Sequence, residues 1–260
     1  MTFRRRAACA GSFALLVVVA TTVVASADQA YAVSGKDVFQ LGGRDERTQT
    51  RYQGVQQLVI TRTGNAVTYA ARVEYDKRGD GAGSARHETA TYNSTMLPSG
   101  QMQDGQTDDP DYLTILDQPF AVQLDAPTLR DLGHLKRPVP FDFPSPITGA
   151  PLRGTLRRVP DATVGGMRAM GIAFEAAGPL HGALPDHPAL ALAGHIRMRG
   201  TAYYAYDTAL LIALDANLEI DGNLDAETQR SPVSILYQRS LRPLAQQSAR
   251  AIPAPSPRSS

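Results

Sequence analysis

From Ala66 to Tyr75 the chain alternates. Val67, Tyr69, Ala71, Val73 and Tyr75 fall at one parity, and Thr68, Arg72 and Glu74 at the other. A period of two places the first set on one face of a strand and the second on the opposite face. This is the pattern of an antiparallel sheet with one buried and one wet side. Val55-Gln56-Gln57-Leu58-Val59-Ile60-Thr61 precedes it and is rich in strand formers. Thr63-Gly64-Asn65 lies between the two as a turn signal, so together they read as a hairpin. Arg86 to Tyr92 alternates again and is expected to form a third strand.

Proline divides the rest of the chain. None precedes Pro98, and those that follow crowd the region from Pro98 to Pro188. Asn93 to Asp111 reads as a polar loop, and Tyr112 to Leu124 returns to strand character. Asp125-Ala126-Pro127-Thr128 is a helix start, with Leu129 and Leu132 on one face and Gly133 as the stop. Lys136 to Pro151 holds too many prolines for a central strand and is expected at an edge, with Phe141 and Phe143 as anchors.

Two similar units follow. Leu152-Arg153-Gly154-Thr155 is echoed by Met198-Arg199-Gly200-Thr201, and Asp161 and Asp207 stand at matching offsets. Both units continue into apolar runs, Met167 to Ala177 and Ala209 to Ile220, and read as meanders. Asp207 to Glu219 also fits a helical face, through Leu210, Leu211, Leu214 and Leu218. The alternation from Asp215 to Asp221 favours a strand. Val233 to Arg242 is a last strand, and residues 243–260 form a Pro/Ser/Ala-rich tail. The expectation is a mainly β domain over residues 47–242, led in by residues 28–46. Its fold is an antiparallel curved sheet, a half-barrel, or a β-sandwich, of about ten strands with one short helix.

This layout, above all the meander from Gly194 to Gly222, resembles the periplasmic lipoprotein-carrier family. The resemblance covers Val55 to Arg242. It implies a bent antiparallel sheet whose half-barrel holds acyl chains.

The first 27 residues read as an export signal. Arg4, Arg5 and Arg6 give a positive start, Phe13 to Val24 an apolar stretch, and Ala25-Ser26-Ala27 a small-x-small cleavage site; Ala30-Tyr31-Ala32 is a second acceptable one. The expected location is extracytoplasmic, periplasmic or secreted. The alternative is an uncleaved anchor formed by residues 7–27. Removing the signal takes three arginines and no acid, which shifts the formal charge from +1 to −2. A near-neutral domain carries no electrostatic footprint for nucleic acid. Removal also takes Cys9, the only cysteine, and leaves no thiol for disulfides, nucleophilic catalysis or cysteine-ligated metal.

Few polar groups suggest chemistry. His181, Asp186, His187 and His195 are the densest set of metal-type ligands and would suit zinc; the plain alternative is a polar loop between strands. Asp104, Asp108, Asp109 and Asp111, and the series Asp215, Asn217, Glu219 and Asp221, are oxygen-rich. The second lacks the glycine and glutamate positions of a calcium loop and reads as the wet face of a strand. Gly79, Gly81 and Gly83 open no helix, and no G-x-S-x-G elbow exists, so no catalytic residue is assigned. Leu210, Leu211, Ile212 and Leu214 belong to a run that is apolar on both faces. Such a run is either sandwiched in a core or lines a cavity for an apolar ligand. The functional expectation is an exported, non-enzymatic envelope protein without a cofactor that binds an apolar molecule or another envelope component. A metal-dependent hydrolase built on His181 and His187, and a ligand-free structural module, are the alternatives.

Overall fold

The computed structural model describes residues 25–42, 47–63, 66–80, 83, 85–96, 103, 106–116, 124, 126–134, 137–145, 150–184, 187–226 and 229–244. In chain order the elements are β1 (Ala25–Leu41), β2 (Arg47–Thr63), β3 (Ala66–Gly79), β4 (Arg86–Met96), β5 (Gln106–Thr107), α1 (Ala126–His134), β6 (Val139–Pro144), β7 (Pro151–Val164), β8 (Met167–Leu184), β9 (His187–Ala205), β10 (Leu211–Ala226) and β11 (Gln229–Pro243). The strands form one eleven-stranded sheet in the order β5-β4-β3-β2-β1-β11-β10-β9-β8-β7-β6. All its pairings are antiparallel. The sheet is curved and does not close into a barrel, so the predicted curved-sheet class holds and a single sheet forms in place of a sandwich.

The middle of the sheet is the main surprise. Residues 28–46, read as a lead-in, hold most of β1, which begins at Ala25 within the stretch read as the signal. It pairs with β2 from Ala25↔Arg62 to Gln40↔Arg47, and with β11 from Tyr31↔Pro243 to Leu41↔Val233. Its inward series is Tyr31, Val33, Gly35 and Asp37. Half of these positions are not apolar, so the period-two signal is weak there. β11 extends to Pro243, while residues 1–24 and 245–260 lie outside the described residues. The ambiguous segment resolves as strand: Asp207 and Thr208 sit in a turn, and β10 begins at Leu211. Tyr112 to Leu116 is loop rather than strand, with Tyr112 exposed and Leu113 to Leu116 buried, and 117–123 fall outside the described residues.

That buried loop follows from the topology. β5 lies at one edge of the sheet and β6 at the other, so the chain between them must cross from edge to edge. Its described parts, 108–116, 124 and 126–134, lie as a strap over the concave face. Leu113 and Ile115 are 0% exposed, and Leu116, Leu124, Leu129 and Leu132 are buried in the same core as Leu58, Val73, Ile172 and Leu214. Burying each such side chain stabilises the fold by about 1.5–3 kcal/mol. Helix α1 belongs to the strap. Pro127 fits its first turn, where no backbone N–H is required, and Leu129 and Leu132, three apart, bury one face.

Inward-facing glycines make the bend possible. A Cβ on Gly54 would lie 2.3 Å from the Glu74 carbonyl oxygen, and one on Gly194 would lie 2.3 Å from that of Asp221. No side chain fits there, and Gly194 and Gly222 face each other directly across β9 and β10. The repeated Leu-Arg-Gly-Thr and Met-Arg-Gly-Thr motifs share one environment. A Cβ on Gly154 would meet the Glu175 oxygen, Ala176 and the Phe143 ring; one on Gly200 would meet the Asp215 oxygen, Ala216 and the Phe174 ring. In each case a phenylalanine from the preceding strand covers the glycine.

Candidate functional site

The concave face is apolar across β6 to β10, and on β11 to β3 it carries a cluster of polar side chains set among the buried Val33, Leu58, Val73 and Leu241. One lateral row runs through Val139, Leu156, Phe174, Gly200, Ala216, Arg239, Gly35, Tyr52 and Lys77, one residue from each of β6 to β11 and β1 to β3. It is apolar from β6 to β10 and polar from β11 to β3. The neighbouring rows repeat this only in part, since Leu241 on β11 and Val33 on β1 are buried apolar side chains. Ile172, Ala202 and Leu214 lead to Leu241, Val33, Gly54, Tyr75 and Glu88, while Met198 and Leu218 lead to Tyr237 and Asp37.

The polar cluster converges on Asp111 of the strap. Tyr75 donates its hydroxyl to Asp111 Oδ2 at 2.8 Å, and Tyr52 donates to Oδ1 at 3.2 Å. Lys77 Nζ lies 3.1 Å from both carboxylate oxygens. Arg239, 3% exposed, donates Nη2 to the Asp111 carbonyl at 2.8 Å and forms an ion pair with Asp37 through Nη1. Its guanidinium stands 5.2 Å from the Tyr52 ring centroid and 5.7 Å from that of Tyr237. Such stacking suits a delocalised cation at low hydration.

The strap is pinned further along by Gln56, whose Oε1 accepts the Ile115 N–H, and by Asp109, whose carboxylate accepts the Thr114 N–H. At the far end Arg158 donates to the Gly133 carbonyl at 2.7 Å, at the end of α1. Asp161 and the Tyr206 hydroxyl both accept from Arg158, and Tyr206 donates to Asp161 at 2.6 Å. The strap is therefore held by polar contacts at its two ends and by apolar side chains between them.

Burial sets the electrostatics of the tyrosines in this cluster. Burial, followed by the nearby Asp37 and Asp111 carboxylates, pushes the Tyr52 hydroxyl well above its ordinary value. Burial and the bond to Asp111 do the same for Tyr75. Tyr237 is pushed up to about 12, chiefly by burial. These phenols stay protonated and act as hydrogen-bond donors. Burial also raises Asp109. Asp161 is lowered, first by the Tyr206 hydrogen bond and then by Arg158.

The residues singled out in the sequence lie elsewhere. His181 and His195 are exposed on the outer face of β8 and β9, opposite Ala193 and Pro179 respectively. His187 begins β9, and Asp186 lies outside the described residues. Among the described residues no three His, Cys, Asp or Glu side chains gather as metal ligands. Asp215, Asn217, Glu219 and Asp221 line the outer face of β10 and bond across strands to Arg242, Gln238, Arg197 with Arg199, and Ser234. Leu210, Leu211, Ile212 and Leu214 are all buried in the packed core.

Parity could have found the polar centre. Lys77 continues the inward series Ala71, Val73, Tyr75, and Arg239 interrupts the inward series Val233, Ile235, Tyr237, Leu241. A cation at a core parity signals a buried partner.

No protein-family model matches the chain, and comparison with curated proteins finds no significant match. Fold and site together define an open, curved antiparallel sheet whose concave face is covered by its own strap. Among the described residues no helix is long and apolar enough to cross a membrane.

Proposed function

We propose that the protein is an exported, non-enzymatic envelope protein whose concave face receives an apolar ligand, or an apolar part of another envelope component, when the strap moves aside. The observation that carries this reading is the apolar wall of β7 to β10, with Leu156, Phe174, Met198, Leu214 and Leu218. It is covered by a segment held through polar contacts at its ends. Exposing such a wall in water is costly, so a displaced strap needs an apolar replacement. Export rests on Arg4 to Arg6, the apolar stretch and Ala25-Ser26-Ala27. Native mass spectrometry and solvent extraction of the full chain purified from envelope fractions test the reading. Co-purifying apolar adducts are expected, and a clean apo mass counts against ligand binding.

The full burial of Leu113 and Ile115 favours a second reading, a structural module in which the strap is permanent core. Hydrogen exchange separates the two. A displaceable strap exchanges faster over residues 108–134 than β9 and β10 do, and a permanent one exchanges with them.

A further inference from the structure

We propose that Lys77, Arg239, Tyr52 and Tyr75 form a carboxylate receptor that Asp111 of the strap occupies as an internal stand-in, and that the ligand is a long-chain monocarboxylate with its chain along the apolar half of the concave face. This inference rests on the ligand-binding reading above and adds the chemistry of the head group.

The geometry argues for it in three ways. First, the groups around the Asp111 side chain are all donors: two tyrosine hydroxyls and an ammonium, at 2.8–3.2 Å. Asp37 pairs with Arg239, and Glu88 shares the Tyr75 hydroxyl with Asp111, at 3.1 Å. When the strap leaves, the Lys77 ammonium loses the acceptor it has in Asp111 and the Tyr52 hydroxyl is left to Asp37, and a carboxylate restores the Asp111 contacts. Second, two donors beside the receptor stay unsatisfied with the strap in place: Arg239 Nε and Gln56 Nε2 are buried without a partner, as are Asp109 Oδ1 and Thr114 Oγ1 within the strap. Third, the receptor lies on the same lateral row as Ala216, Phe174 and Leu156. From β11 to β7 that row spans four strand spacings, about 19 Å. A long alkyl chain covers that distance and a short one does not. The strap has the same polarity, with Asp111 at the polar cluster and the helix carrying Leu129 and Leu132 ending beside Met170 and Arg158 on the apolar half.

Equilibrium dialysis of hexadecanoate, hexadecan-1-ol and octanoate against the full chain tests this, with the Asp111→Ala and Lys77→Met variants alongside. Hexadecanoate should bind wild type about tenfold or more tighter than the alcohol, and tighter than octanoate. Asp111→Ala removes the internal competitor and should raise hexadecanoate affinity more than alcohol affinity. Lys77→Met, at a side chain 33% exposed, should lower acid binding and leave alcohol binding unchanged. Equal binding of acid and alcohol by wild type overturns the receptor while sparing the apolar-ligand reading. Binding of neither compound by wild type or Asp111→Ala overturns both. Should Asp111→Ala not fold, the wild-type and Lys77→Met comparisons still decide.

Discussion

Arg239 and Asp37 form an ion pair across the seam between the last strand and the first, 202 residues apart in sequence. The Arg239 side chain is 1% exposed, and its other nitrogen reaches the Asp111 carbonyl of the strap at 2.8 Å. One planar fork thus ties β11, β1 and the strap together. Arg239→Ala leaves Asp37 without its partner inside the fold and should destabilise it by about 3 kcal/mol. Arg239→Lys should recover only part of this, because a point charge cannot serve both acceptors. Denaturant midpoints of the two variants check the order. Full recovery by lysine would show that charge alone matters at this position.

Gly194 faces Gly222 where β9 and β10 bend. A methyl group there would meet the Asp221 oxygen at 2.3 Å and the Gly222 Cα at 2.6 Å. Gly194→Ala should therefore cost about 1–3 kcal/mol. Gly79→Ala, where a Cβ has nothing within 4 Å, should be near neutral. Chemical denaturation of the pair measures the contrast, and equal stability would mean that the bend relaxes freely.

Tyr31 is 0% exposed, and the neighbouring Ala30 carbonyl accepts the Leu244 N–H at 2.8 Å. A cut after Ala32 would remove both from the central strand, whereas a cut after Ala27 leaves them. Of the two candidate sites, a cleaved chain should therefore be cut after Ala27 and begin at Asp28, which intact mass or N-terminal sequencing reads directly. A chain starting at Val33 should fail to fold, and recovery of stable protein with that N-terminus would refute the assignment.

Burial raises Asp109 above the usual carboxylate range, and Asp111 adds to this. The folded state therefore favours the neutral form. Its contribution to stability is complete below the unfolded value of about 4 and is lost as pH rises through the folded value. Asp109→Asn stays neutral and still offers an oxygen to the Thr114 N–H. Wild type should lose stability relative to this variant as pH increases above about 4. Thermal melts of both proteins across that range test it, and a constant difference would mean that Asp109 titrates alike in both states.

Much of the sheet was legible because its strands alternate. Val67 to Tyr75 and Asp215 to Asp221 bury one parity and wet the other, as their sequence implies. β1 was not legible, because Gly35 and Asp37 replace apolar side chains on its inner face. They do so for a tertiary reason: the Arg239 guanidinium packs beside Gly35 and pairs with Asp37. Leu113 to Leu116 misled for a related reason. It is as apolar as a strand because it is buried, but its backbone bonds go to Gln56 and Asp109 instead of a ladder. The histidines drew attention as ligand types, yet His181 and His195 face outward. The polar centre is drawn from β1, β2, β3, β11 and the strap, a convergence that no local spacing encodes.

The placement of β1 beside β11 also sets the order in which the molecule can be completed. One flank of β1 stays open until the final strand has been made, so the N-terminal meander is left with a bare edge and the strap with no Arg239 to hold it. Contacts of such long sequence separation form slowly. A chain emerging from the ribosome therefore keeps this seam unfinished until β11 has been made.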